Sequence, residues 1–265
     1  MKFATLAALT FALLTITRAA EKEEEHLEAR DGSCKAIQVI DTRGTGEPAG
    51  KPSMAFSNVM TEVEAAIPGQ YSTYNTNYPA SGNYNYKPGT TDILRRMRWY
   101  LRQCPQSQFL LLGASQGAIS TTVVLQKISP RSRLGRSVAA VLLVGNPLHR
   151  PNKESNVDSE GGKSTSRVTG MASYGPGIPA AWDRSGKVMD LCRDGDGVCT
   201  GKGGINYQHM LYPWDAPANN LASSFLINKA KPGVKGFKSR VARYRAQQQK
   251  QALRNKQARS FGDQK

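Results

Sequence analysis

The sequence predicts a single α/β domain: a central, mainly parallel, five-stranded sheet flanked by helices. Three observations predict it. Short apolar runs alternate along the chain with stretches whose apolar residues recur at helical spacing. Most of those runs are apolar at nearly every position rather than at every second one, as in strands covered on both faces. The chain has 265 residues, which supports one domain with a substantial core better than two.

The elements follow in order. Lys2, the apolar run Phe3 to Ile16, and small residues at Thr17, Ala19 and Ala20 have the layout of a secretory signal peptide over residues 1–20. The run is too short for a good spanning helix, so secretion is expected and membrane residence is not. Residues 21–33 carry six acids and two bases and little apolar content. They read as an acidic leader or propeptide. The folded domain is expected over residues 34–228.

Ala36 to Ile40 reads as a buried strand, and Ser57 to Ile67 as a helix stopped by Pro68-Gly69. Tyr71 to Tyr78 is a strand. Thr90 to Leu101 is a helix with Ile93, Leu94, Met97 and Leu101 as its apolar stripe, and Arg95, Arg96, Arg98 and Arg102 as a solvated face. Phe109 to Leu112 is a strand, Gln116 to Ile128 a helix, Val138 to Val144 a strand, and Lys187 to Leu191 a weaker one. Ala218 to Ile227 reads as the last helix. Ser81 to Gly89 and Pro147 to Pro179 read as loops; a loop as long as the second is usually functional or mobile.

The net charge of +16 is uneven. Residues 229–265 hold 12 bases and one acid. This tail, poor in apolar residues, is expected to be disordered or a loose helix. It is a candidate for binding an acidic polymer such as pectin or nucleic acid, against the plainer role of a solubilising tail.

Four cysteines in a secreted chain read as two disulfides. Cys192 and Cys199 lie seven apart around a Gly/Asp-rich stretch and suit a local staple, which leaves Cys34 for Cys104. Zinc is a weaker reading because no Cys-x-x-Cys pair is present. No metal or organic cofactor is expected.

The motif that carries chemistry is Gly113-Ala114-Ser115-Gln116-Gly117, placed directly after an apolar strand and directly before a helix. That is where the nucleophile elbow of an α/β-hydrolase-type domain belongs. A serine hydroxyl needs a base, and the chain has three histidines. His26 lies in the leader. His149 follows the strand ending at Val144 and reads as structural. His209 alone leaves room for an acid between serine and base, the order of this fold class. Asp183, Asp190, Asp194 and Asp196 fall in that interval, the last two inside the Cys192–Cys199 staple. Spacing does not separate Asp194 from Asp196.

Five blocks occur in the order seen in the cutinase family, which includes acetylxylan esterases. They are Arg43-Gly44-Thr45-Gly46-Glu47-Pro48, Cys104-Pro105, Gly113 to Ala118, Gly195-Asp196-Gly197-Val198-Cys199 and Gln208-His209. The chain resembles that family over roughly residues 34–228. The resemblance implies a Ser115–His209–Asp196 triad, selecting Asp196 over Asp194. It also implies an oxyanion hole from the backbone N–H groups of Thr45 and Gln116, and disulfides Cys34–Cys104 and Cys192–Cys199.

The expected function is a secreted serine esterase acting on cutin or short- to medium-chain acyl esters through an acyl-enzyme. The alternatives are an acetylxylan esterase acting on plant cell-wall polysaccharide, and a catalytically weak secreted binding protein or effector that uses the basic tail. Substrate contacts are expected from the loops Ser81–Lys87 and Gly203–Tyr212, at Tyr84, Ile205, Tyr207, Met210 and Leu211. A monomer is expected.

Overall fold

The computed structural model describes residues 34–262. The expected signal peptide, the acidic leader and His26 lie outside the described residues.

Among the described residues six strands form one sheet: β1 (Ile37–Thr42), β2 (Tyr71–Asn75), β3 (Gln108–Ala114), β4 (Val138–Val144), β5 (Asn156–Val157) and β6 (Val188–Leu191). Their order is β2-β1-β3-β4-β6-β5, and every neighbouring pair is parallel. The sheet therefore has one strand more than the five expected, and it is wholly parallel. The extra strand is the two-residue β5, inside the stretch 147–179 read as loop. Two residues carry no periodicity, so only pairing with β6 identifies them as a strand.

The helices are α1 (Ser57–Ala66), α2 (Lys87–Gln103), α3 (Gln116–Lys127), α4 (Arg133–Arg136), α5 (Ala180–Asp183), α6 (Tyr207–Met210) and α7 (Ala216–Gly262). Single 3₁₀ turns at Met54–Phe56 and Tyr212–Trp214 complete them. Pro88 in the first turn of α2 explains why that helix starts ahead of the expected Thr90: proline is tolerated where no N–H partner is needed.

The sheet is covered on both faces, and residue parity along the strands shows it. Val39, Leu110, Leu112 and Leu142 pack with α1 and with Ala218, Ala222, Leu226 and Ala230 of α7. Their neighbours Ile40, Phe109, Leu111, Val141 and Leu143 pack on the opposite face with Ile93 and Met97 of α2 and Val124 of α3. Successive strand residues point to opposite faces, so a run that is apolar throughout is what two covered faces require. The Cys34–Cys104 bond ties the segment before β1 to the end of α2, and Cys192–Cys199 closes the loop after β6.

Arg96 departs from the solvated face expected of its helix. Its guanidinium lies 4.5 Å from the ring centre of Tyr74 and 4.6 Å from that of Trp99, and it donates to Gln38 Oε1 at 2.7 Å. Burial among these rings lowers its pKa from the ordinary value.

The last helix does not end at Ile227. It continues through Pro232 to Gly262, across the segment whose composition predicted disorder or a loose helix. Low apolar content argued for disorder, but Ala, Arg, Lys and Gln are all strong helix formers. Among the described residues, no helix is long and apolar enough to cross a membrane.

Candidate active site

Strand order reverses between β1 and β3: β1 is followed by β2 on one side, and the chain returns to add β3 on the other. Ligands of open parallel sheets bind at such a switch point, beyond the C-terminal strand ends. Thr45 follows β1 and Ser115 follows β3, so both lie there.

Ser115 has φ 50° and ψ −116°, a conformation that side chains rarely adopt and one that turns the hydroxyl out between strand and helix. Its glycine neighbours are needed because the backbone is crowded. A Cβ on Gly117 would lie 1.9 Å from the Thr42 carbonyl oxygen, and one on Gly113 would lie 2.8 Å from Ala118 Cα.

His209 sits in the short helix α6, capped by Asn206, whose side chain accepts from the His209 N–H at 3.0 Å. His209 Nε2 lies 3.0 Å from Ser115 Oγ, and Nδ1 lies 2.9 Å from Asp196 Oδ2. Asp196 also accepts from Tyr212 Oη at 2.7 Å and from the Val198 N–H at 2.8 Å. Burial works to raise the pKa of this carboxyl. The hydrogen bond and charge of His209, with the donors Tyr212 and Val198, outweigh it and hold the pKa below the ordinary value. Asp194, the other candidate in the staple, is exposed and faces Ser164, whose hydroxyl donates to it at 2.8 Å.

The segment expected to donate to an oxyanion is held from several sides. Arg43 donates to the carbonyls of Glu47, Thr76 and Tyr78. Glu47 accepts from the N–H groups of Gly44 and Met54. The Gly46 N–H reaches the Ala80 carbonyl at 2.8 Å. Thr45 Oγ1 donates to Gln116 Oε1 at 2.9 Å, so the two expected donor residues meet across the site. Beneath them Asp41 is buried at the end of β1. Desolvation pushes its carboxyl up to about 7, although the Ser53 N–H donates to it; Glu47 adds to the rise and Arg43 opposes it.

His149 lies apart from Ser115. It is fully buried and pairs with Asp190, Nδ1 to Oδ2 at 2.9 Å, while Nε2 faces the Thr165 carbonyl at 3.2 Å.

The expected substrate contacts divide. Tyr84 lines a groove of about 140 Å³ with Tyr86, Ile119, Leu148, Met171 and Tyr174. Ile119 lies one helical turn beyond Ser115. Pro147, also in the groove wall, follows closely on Gly145, where a Cβ would come within 2.6 Å of His209 Cε1. Ile205, Tyr207 and Met210 do not line this groove; they stand exposed on the segment that carries His209. Leu211 is half-buried beside them. Met171 and Tyr174 were missed because the Gly/Ser-rich stretch around them has no periodicity. Backbone bonds from the Met171 N–H to Val198 and from the Ala172 N–H to Pro147, both 2.9 Å, help bring it to the site. Among the described residues, no group of three or more His, Cys, Asp or Glu side chains gathers as a metal site.

Comparison with known proteins yields consistent matches. The family model for Cutinase matches residues 33–230. A cutinase of Blumeria hordei is 29% identical, over 75% of this chain and 73% of its own length. The carboxylesterase Culp1 of Mycobacterium tuberculosis is 27% identical, over 74% of this chain and 82% of its own. Among solved structures, a cutinase-like protein from Cryptococcus sp. superposes with a TM-score of 0.69 at 38% identity, covering 73% of this chain and 94% of that one. An acetyl xylan esterase superposes with a TM-score of 0.61 at 22% identity, covering 75% of this chain and all of its own; that match speaks to the fold alone.

Proposed function

Because this chain belongs to the cutinase family and is a carboxylic ester hydrolase, we propose that it cleaves its esters through a Ser115–His209–Asp196 triad. The observation that carries this reading is the unbroken chain of contacts from Ser115 Oγ to His209 Nε2 at 3.0 Å, and from His209 Nδ1 to Asp196 at 2.9 Å.

In this reading His209 takes the Ser115 proton as the hydroxyl oxygen bonds to the ester carbonyl carbon. Asp196 holds the imidazole in the tautomer that leaves Nε2 free to accept, and stabilises the imidazolium that forms. The N–H groups of Thr45 and Gln116 receive the oxyanion; such a donor is typically worth about 10²–10³ in rate. The alcohol leaves with the proton returned by His209. Water then repeats the attack on the acyl-enzyme, releasing the acid and restoring Ser115.

The substrate reading is a cutin-type or short- to medium-chain acyl ester. An apolar rim supports it. Tyr84, Met171, Tyr174, Ile205, Tyr207, Met210 and Trp214 are all large and exposed. All lie in segments that follow the C-terminal ends of strands. Such a rim suits a water-insoluble ester better than a hydrated sugar polymer. The signal-peptide layout of residues 1–20 supports secretion, a monomer is the state we assign, and the cationic C-terminal helix is read as engaging an acidic polymer.

Ser115→Ala tests the triad. We expect it to abolish p-nitrophenyl ester hydrolysis and labelling by an organophosphate while the circular dichroism spectrum is unchanged. Activity retained in a folded Ser115→Ala protein would overturn the assignment.

A further inference from the structure

Helix α7 begins at the catalytic end of the molecule and runs antiparallel to the strands. Asp215 receives the Ala218 N–H at its start. A turn beyond mid-sheet, Gly233 lies against Gln108 and Ile37, the first residues of β3 and β1. Arg240 then donates to the carbonyl of Gln106, ahead of β3, at 3.2 Å. The helix has thus passed the sheet edge opposite the triad. At about 1.5 Å per residue, residues 241–262 carry it on by about 33 Å.

This part of the helix differs chemically from the part that packs. Residues 241–262 hold six Lys and Arg and no Asp or Glu. Arg243, Lys250 and Arg254 are exposed. At about 100° per residue they fall within about 40° of one another, so they form one cationic stripe. Gln247 and Gln251 are exposed beside them. No apolar face accompanies the stripe: Leu253 is the one large exposed apolar side chain among the described residues of the arm. A bilayer would therefore have little to bury.

We propose that this arm is a tether for an anionic polysaccharide of the polyuronate kind, with the catalytic rim left free at the other end of the molecule. The proposal deepens the acidic-polymer reading of the C-terminal helix and is independent of the triad. The chemistry of the stripe favours a polyuronate over a nucleic acid. Each sugar ring offers a carboxylate and hydroxyls that both donate and accept. Lys and Arg answer the first, and the Gln amides, with a donor and an acceptor each, answer the second. The phosphate–deoxyribose backbone of DNA offers acceptors only.

The test passes the full-length protein over immobilised polygalacturonate, with double-stranded DNA and phosphatidylserine vesicles as parallel surfaces. We expect retention on polygalacturonate at low salt and release as salt rises through about 0.15 M, where the Debye length is about 8 Å. The variant Arg243→Glu/Lys250→Glu/Arg254→Glu should lose retention about tenfold or more, with p-nitrophenyl butyrate hydrolysis unchanged. Absence of retention, or equal retention of the variant, overturns the tether. Tighter binding to DNA or vesicles overturns the assignment to polysaccharide while leaving an acidic partner for the helix.

Discussion

Tyr212 donates its hydroxyl hydrogen to Asp196 Oδ2 at 2.7 Å, on the carboxylate that faces His209. The phenol is itself held by the Arg193 N–H at 3.1 Å. Asp196 is thus held, on the oxygen that faces His209, by a side chain three residues beyond that histidine. A carboxylate that loses a donor becomes more basic and holds an adjacent imidazolium more strongly.

Tyr212→Phe should therefore shift the pH profile of kcat/KM, because Asp196 loses a donor that favours its charged form. We expect kcat to fall about tenfold with KM within about twofold of the parent. A variant that is less stable but has an unmoved pH profile would show that the phenol only packs.

The His149–Asp190 pair predicts a pH dependence of stability. Burial disfavours the charged imidazole. The Asp190 charge, its hydrogen bond, the Thr165 carbonyl and the more distant Asp196 charge outweigh that and hold the pKa above the ordinary 6.5. Both ring nitrogens face acceptors, which the doubly protonated ring satisfies. A raised folded pKa gives stability that is fully present below about 6.5 and is lost as pH rises through the folded value. The difference in urea midpoint between parent and His149→Asn should be largest in acid and shrink above neutrality. A constant difference across pH would refute the charged pair.

Asp41 acts in the same direction. Its carboxyl titrates at about 7 in the fold against 3.8 ordinarily. Folding then takes up a proton between those values, and stability falls as pH rises through the window. Asp41→Asn keeps an acceptor for the Ser53 N–H and should flatten the slope of stability between about pH 4 and 7. An unchanged slope would assign the dependence to other groups.

Gly117→Ala should be severe, since its methyl would meet the Thr42 carbonyl at 1.9 Å. We expect a loss of about 3 kcal/mol or more in unfolding free energy, the range of overpacking combined with backbone displacement. A near-native melting temperature with full activity would mean that the loop after β1 can retreat without consequence.

Narrowing the groove should change chain-length preference. Ile119→Phe and, separately, Met171→Lys should lower octanoate turnover relative to acetate by about tenfold. Acetate rates should stay within about twofold. Equal losses on both esters would remove the acyl chain from this groove.

The tight turn at Ser115 was legible in the sequence because a strand, a turn and a helix follow one another locally, from Phe109 to Lys127. His209 as the proposed base was legible from chain order, and Asp196 as the proposed acid only from resemblance to a family. Ile205, Tyr207 and Met210 drew attention as an apolar cluster near the base, yet they form rim rather than groove. Met171 and Tyr174 gave no signal, since their segment reaches the site through bonds to Val198 and Pro147, residues that lie elsewhere in the chain.

Local pattern and composition by themselves determined the parallel α/β class, the tight turn at Ser115 and the cationic C-terminus, because periodicity, turn chemistry and charge are properties of neighbouring residues. Tertiary structure alone decided the sixth strand, the exposure of Asp194 against the burial of Asp196, the Tyr212 bond to Asp196, and the direction in which α7 leaves the fold. Each of those depends on contacts between residues distant in sequence, or on where a helix lies relative to the sheet. Burial and hydrogen-bond partners exist only once the chain has closed.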